Sequence, residues 1–257
     1  MGEDMRVHVV TVGLSILDKL NRARESGRDT VAVRVGHQVN EFLDGWDVGD
    51  LTAENSAAAL AWSTNTGAPE DDKLDGLQIG DLVAAIDSDE EQPGSDAVRG
   101  RGWLSAELDG LRAYAEHDDL DLLSPAADRD PSVLLASDSA RGSAAALLNA
   151  GILAGGDWSR VCFGLDNGYP LVADGRVHVV RLTDLKPDSV EGFVTGLGNF
   201  GQGLYWAAGR NNNVHPLFVL HLSGGLKVAL PFFLALGEWL RTTQEGMYRA
   251  DAIAFAR

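Results

Sequence analysis

The segment from Ser223 to Lys227 carries residue types that can bind and polarise an anion. It reads Ser-Gly-Gly-Leu-Lys and separates two apolar runs. Gly224 and Gly225 let the backbone approach a ligand closely, and the free N–H groups of a following helix point toward that ligand. The hydroxyl adds a hydrogen-bond donor and the lysine adds a point charge. The segment therefore predicts an anion-binding turn between a strand and a helix.

Two other segments repeat this order of strand, polar turn and helix. The first follows the apolar run 7–12 and contains Gly13, Leu14 and Ser15. The second follows an apolar run that begins at Val133, and its polar turn contains Ser137, Asp138, Ser139, Arg141 and Gly142. Hydroxyl-bearing turns with a lysine and an arginine nearby favour a nucleotide or another polyanion over a metal ion or an acyl substrate.

These turns require an α/β fold to position them. Alternating apolar strands and helices predict a Rossmann-like, mostly parallel sheet with helices on both faces, in which such turns gather where ligands bind, at the carboxyl ends of the strands. The predicted strands are 7–12, 30–35, 82–86, a run from 133, 176–182, 217–222 and 252–256. The predicted helices are 16–25, 54–63, 105–116, 143–153, 188–208 and 228–240.

The chain is expected to form a single domain, 1–257, with an acidic insertion or loop at about 64–102. Between residues 70 and 91 this segment holds nine acidic residues and one lysine, which is typical of a solvated surface.

Composition excludes several classes of protein. The chain has 257 residues, of which 45% are hydrophobic, so it can bury a full core. It has no apolar run long enough to span a membrane and no secretory leader pattern. The single cysteine, Cys162, fits a reducing, cytoplasmic location. A net charge of −17 argues against binding long nucleic acids, although an enclosed pocket can still hold a small polyanion.

Other sequence patterns are weaker indications of function. Glycines at 196, 198 and 201 have the spacing of a dinucleotide fingerprint, but they lie inside a predicted helix, where close packing explains them better. Arg210 and His215 have the spacing of a metal-independent ribonuclease pair. Those ribonucleases carry the pair on a helix, whereas Pro216 and the apolar run after it place His215 at a strand entrance. The histidines show no metal-ligand spacing, so neither a metal ion nor a cofactor is expected.

Taken in order, the turns and their flanking segments resemble a known family. The chain is similar to the CARF (CRISPR-associated Rossmann fold) domains of type III CRISPR accessory proteins. The matching segments are Thr11–Ser15, Ser105–Leu108, Leu134–Gly142, Phe193–Asn199 and Leu220–Lys227.

This resemblance implies a homodimer whose two-fold axis passes through a pocket for a cyclic oligoadenylate, here most simply the tetra-adenylate ring. In the ring nucleases of the family, a ribose 2′-hydroxyl attacks the neighbouring phosphate without a metal and leaves a 2′,3′-cyclic phosphate, which ends type III CRISPR signalling. By resemblance, Lys227 stabilises the phosphate charge and Ser15 positions the attacking sugar or the phosphate. The remaining residues of the turns bind the ligand: Gly13, Leu14, Ser137, Asp138, Ser139, Arg141, Gly142, Ser223, Gly224 and Gly225.

Two alternatives stay open at this point. The first is a non-catalytic cyclic-oligoadenylate sensor that controls an effector. Because only Arg257 follows the last predicted strand, the sequence favours the ring nuclease over this sensor. The second is an unrelated Rossmann-like enzyme that binds a mononucleotide.

Overall fold

The fold is taken from a computed structural model of the chain. The structure describes residues 6–26, 30–45, 78–88, 104–118, 122, 130–165, 175–182, 185, 191–192, 194–196, 198–199, 201, 217–222, 230–243 and 249–253. The predicted helix 54–63 and most of the acidic segment 64–102 lie outside these residues.

Six strands form one sheet, and every neighbouring pair is parallel. They are β1 (Arg6–Thr11), β2 (Ser132–Ala136), β3 (Val161–Leu165), β4 (Val177–Arg181), β5 (Leu217–His221) and β6 (Arg249–Ile253). The order across the sheet is β3-β4-β2-β1-β5-β6. The predicted Rossmann-like α/β fold is therefore confirmed.

Six α-helices are described. They are α1 (Ser15–Glu25), α2 (Val31–Gly45), α3 (Ile79–Asp87), α4 (Ala106–Asp118), α5 (Ala140–Leu153) and α6 (Leu230–Thr243). A short 3₁₀ turn, Trp158–Arg160, precedes β3, and the described residues between 191 and 201 are helical. None of the described helices combines the length and apolar character that crossing a membrane requires.

Both faces of the sheet are covered, because side chains of alternate direction on β1 are all buried. Val10 belongs to the main core, to which α1 through α5 contribute. Val7 and Val9, on the opposite face, are also buried, and so is Phe233 of α6. Connections between parallel strands are almost always right-handed. The chain leaves β1 toward β2 and later leaves β5 toward β6 in the opposite direction. The two connections therefore place their helices on opposite faces of the sheet.

The strand predicted for residues 30–35 is wrong, because these residues begin helix α2. The Thr30 hydroxyl accepts a hydrogen bond from the Val33 N–H at 3.3 Å and so caps the first turn. Val35 and Val39, one helical turn apart, are buried in the core. Tertiary packing of this stripe overrides the strand preference of the β-branched residues.

The strand predicted for residues 82–86 is also wrong, because it lies within helix α3. Ile79, Leu82, Val83 and Ile86 are all buried, at the spacing of one helix face. This part of the acidic segment therefore packs into the core.

Smaller boundary differences concern α5 and β6. Helix α5 begins at Ala140 instead of residue 143, and β6 spans Arg249–Ile253 instead of 252–256. Close packing is confirmed for Gly196, where an added Cβ would lie 2.8 Å from the Leu185 Cβ. The same prediction is wrong for Gly198, because no atom of the described residues lies within 4 Å of a Cβ added there.

Candidate functional site

The candidate site lies at the carboxyl edge of the three central strands, β2, β1 and β5. Connections from β1 and from β5 run in opposite directions across the sheet, so the boundary between these strands is a topological switch point. Ligands of open α/β sheets bind in the crevice beyond the carboxyl ends of the strands at such a point. The three polar turns predicted from the sequence follow these three adjacent strands.

The first turn comprises Gly13, Leu14 and Ser15, directly after β1. Leu14 is the N-cap residue of α1 and its side chain makes no capping hydrogen bond. Ser15 is therefore the first helical residue and not an ordinary N-cap. Gly13 and Ser15 are partly exposed, and the Leu14 side chain is exposed.

The buried carboxylate of Glu107 accepts hydrogen bonds from the first turn. The Gly13 N–H donates to Glu107 Oε1 at 2.7 Å, and the Ser15 hydroxyl donates to Glu107 Oε2 at 2.7 Å. Ser15 Oγ also accepts a hydrogen bond from the Ala106 N–H at 3.0 Å. Glu107 is only 1% exposed, so its carboxylate is satisfied by protein donors and not by water.

Helix α4 holds this carboxylate in place. Glu107 lies in the first turn of α4, where the helix dipole stabilises negative charge. The Ser105 hydroxyl accepts from the Leu108 N–H at 3.0 Å and donates to Asn149 Oδ1 of α5 at 2.7 Å. The start of α4 is thereby fixed to both α1 and α5.

Glu107 is the site residue that the sequence argument missed as a functional group. Its partners lie 94 and 92 residues away in the chain, so no local pattern shows the contact. The available signal was the segment Ser105-Ala-Glu-Leu, a serine N-cap followed by an acid in the first helical turn.

The second turn follows β2 and begins α5. Ser139 is the N-cap residue of α5, and its hydroxyl accepts from the Gly142 N–H at 3.1 Å. The Ser137 and Ser139 hydroxyl oxygens lie 3.1 Å apart in a hydrogen bond. Gly142 has to be glycine here, because a Cβ would lie 2.1 Å from Ser137 Oγ and 2.9 Å from Ser139 Oγ. The turn is a compact pair of hydroxyls at a helix N-terminus.

Two charged residues flank the second turn in different environments. Asp138 forms an ion pair with Arg181, which comes at the end of β4, and the two side chains are 11% and 13% exposed. The Arg181 Nε–H donates to Asp138 Oδ1 at 2.6 Å. Arg141, by contrast, is exposed on the first turn of α5, where a cation is accessible to a ligand. The structure therefore gives Asp138 a positioning contact and leaves Arg141 at the surface.

The third turn lies outside the described residues. Ser223, Gly224, Gly225 and Lys227 follow Leu222, which is the last described residue after β5. Strand β5 pairs with β1, with Val10 opposite His221. The structure thus fixes the strand that leads into this turn, and the roles of its residues stay predictions from the sequence.

A buried histidine pair lies beneath the switch point. His8 Nδ1 of β1 and His221 Nε2 of β5 are 3.0 Å apart in a hydrogen bond, and Tyr114 of α4 meets both rings edge-on. Burial, and then the neighbouring His8, lower the pKa of His221 to about 3. Burial, and then Asp118, raise the pKa of Tyr114 to about 12. The pair thus links the strands that carry the first and third turns.

Comparisons with known proteins leave the family open. A scan against protein-family models found no match, and a search of curated proteins found no significant match.

Proposed function

We propose that the chain is a CARF-type protein that binds a cyclic oligoadenylate, most simply the tetra-adenylate, at the carboxyl edge of β2, β1 and β5. The observation that carries the proposal is the position of the turns. Three of the five segments that resemble the family come at the ends of three adjacent parallel strands, and two of these strands, β1 and β5, border the switch point. A second copy of the chain would supply the other half of the pocket, because a two-fold dimer matches the symmetry of the ring.

The proposed reaction is cleavage of the ring by its own ribose. A 2′-hydroxyl oxygen forms a bond to the adjacent phosphorus, the bond from that phosphorus to the 5′ oxygen breaks, and the product carries a 2′,3′-cyclic phosphate. The hydroxyl proton passes to solvent and the 5′ oxygen takes up a proton from solvent. The protein contributes alignment of the hydroxyl and stabilisation of the charge on phosphorus.

The residues divide between these two tasks. The N-terminus of α5, with the Ser137 and Ser139 hydroxyls and the exposed Arg141, offers donors and a cation to phosphate oxygens. Lys227 is proposed to stabilise the charge of the reacting phosphate, since it follows the strand next to β1. Ser15 is proposed to align the attacking sugar. This activity would switch off type III CRISPR signalling.

One observation favours a second candidate, a sensor that binds the ring without cleaving it. The Ser15 hydroxyl already donates to Glu107 and accepts from Ala106, as expected of a structural serine. In this case binding of the ring would be signalled to a separate effector protein.

The test is incubation of the purified protein with cyclic tetra-adenylate in EDTA, with products separated by chromatography. A ring nuclease converts the ring into linear products with a 2′,3′-cyclic phosphate. Activity should be lost in Lys227→Ala and kept in Lys19→Ala, which removes an exposed lysine on α1. A sensor would return an intact ring that co-elutes with a dimer. Neither cleavage nor binding, with the hexa-adenylate ring also inert, would reject the proposed function.

A further inference from the structure

The hydrogen bonds of Ser15 have a fixed direction. A serine hydroxyl has one proton to donate and two positions at which to accept. The Ser15 proton goes to Glu107 Oε2 and one acceptor position takes the Ala106 N–H. Within the described part of the chain, the remaining capacity of Ser15 is therefore a single acceptor position on a partly exposed side chain.

The same contacts make the first turn a poor phosphate site. Phosphate oxygens need donors, and the Gly13 N–H and the Ser15 O–H both donate to Glu107. A phosphate that contacted Ser15 would also face the Glu107 carboxylate across one hydroxyl, where like charges repel in a largely buried setting. The first turn thus differs from the second turn, where the Arg141 cation is exposed in the first turn of α5.

We propose that Glu107 is a positioning residue that makes Ser15 a hydrogen-bond acceptor, so that the first turn recognises a ribose 2′-hydroxyl and not a phosphate. This inference rests on the proposed function and specifies which part of the ring this turn contacts. A hydroxyl that donates to Ser15 directs a lone pair of its oxygen away from the serine, as attack on the adjacent phosphorus requires. Phosphate recognition is then left to the second turn and to the segment that contains Lys227.

Glu107→Gln reverses this direction with almost no change in shape. The glutamine carbonyl can still accept from the Gly13 N–H, which leaves its NH₂ group facing Ser15 Oγ. An NH₂ group donates and cannot accept, so the Ser15 proton is released toward the ligand. The variant therefore converts Ser15 from an acceptor into a donor.

The experiment compares two cyclic tetra-adenylate analogues in which every 2′-hydroxyl is replaced, by hydrogen in one and by fluorine in the other. Neither ring has the nucleophile, so affinities are measured by calorimetry without turnover. Fluorine is a weak acceptor and no donor. In the native protein it should gain nothing from Ser15, whereas in Glu107→Gln it accepts the released proton. We expect the ratio of the deoxy to the fluoro dissociation constant to rise about threefold or more in Glu107→Gln, as a weak hydrogen bond provides.

The two rings differ in sugar pucker, but this difference affects the native protein and Glu107→Gln alike. Comparing the deoxy-to-fluoro ratio between the two proteins therefore cancels it. The rise should disappear when Ser15→Ala is added to Glu107→Gln, because the donor is then absent. An equal loss of affinity for both rings in Glu107→Gln would show a purely structural role and overturn the inference, while the proposed function would stand. Failure of the native protein to bind any of the rings, including the ribose form, would instead overturn the proposed function and the inference with it.

A further comparison applies if Glu107→Gln does not fold, as judged by circular dichroism. In Lys227→Ala, in which the proposed cleavage of the ribose ring is absent, the protein should bind the ribose ring about tenfold more tightly than the deoxy ring, which corresponds to one hydrogen bond to a polar group. Ser15→Ala should remove most of this preference. An unchanged preference in Ser15→Ala would overturn the inference.

Discussion

Gly142→Ala provides a quantitative test of the second turn. The new Cβ would lie 2.1 Å from Ser137 Oγ and 2.9 Å from Ser139 Oγ, so both hydroxyls must move. Two hydrogen bonds are disturbed, the one between the serine hydroxyls and the N-cap bond from the Gly142 N–H. At about 1 kcal/mol for each, the expected cost is about 2 kcal/mol.

The gain in helix propensity has to be separated from this cost. Alanine stabilises a helix by up to about 1 kcal/mol relative to glycine. Gly80→Ala is the matched control, because Gly80 also lies in the first turn of a helix and has nothing within 4 Å of an added Cβ. The difference between the two variants isolates the cost of moving the serines.

The assay is thermal unfolding followed by circular dichroism. For a chain of this size a difference of about 2 kcal/mol corresponds to about 4–8 °C in Tm, with Gly142→Ala the lower. The affinity of Gly142→Ala for the tetra-adenylate ring should also fall, since the helix N-terminus is distorted. Equal Tm values for the two variants would refute the reasoning that Gly142 is required by these hydroxyls.

Two other predictions concern titration and charge. Burial lowers the pKa of His178 to about 4 and that of His221 to about 3, from 6.5. Between about pH 6.5 and these folded-state pKa values, the unfolded chain therefore binds more protons than the folded chain. In that window the free energy of unfolding should fall toward acid pH by up to about 1.4 kcal/mol per pH unit for each histidine. His178→Leu should reduce that slope in denaturant titrations at several pH values, and an unchanged slope would contradict the assignment. For the ion pair beside the second turn, a double-mutant cycle of Arg181→Met and Asp138→Asn should give a coupling of about 1–2 kcal/mol, and a value below about 0.5 kcal/mol would show that the pair is not coupled.

The sequence predicted the strands that carry the site because each combines a short apolar run with a polar turn. Strands β1, β2 and β5 all show this pattern, and all are buried. Helices α2 and α3 were mistaken for strands because their valines and isoleucines have the local composition of a strand. Their buried residues nevertheless recur at helical spacing, as in Val35 and Val39. The spacing of the buried residues therefore identifies these segments as helices, although their residue types favour strands.

The internal chemistry of the site was less predictable. Sequence placed Gly13 and Ser15 at the end of a strand, and the structure confirms that position. It did not show that Glu107 takes the donors of this turn, because the contact depends on how α4 crosses the sheet. Hydrogen bonds between residues so far apart in the chain form only in the assembled fold, and no local sequence pattern indicates them.

The parallel pairing of β1 with β5 also has a consequence for synthesis of the chain. His8 and His221, which join these strands, are 213 residues apart, so translation at about 5–20 residues per second separates their appearance by roughly 10–40 s. During that interval β1 can pair with β2, while its other edge presents unpaired backbone groups flanked by valines. Such an exposed strand edge is prone to pairing with other chains until it is covered. Arrival of β5 removes the exposed edge and completes the switch point in the same step.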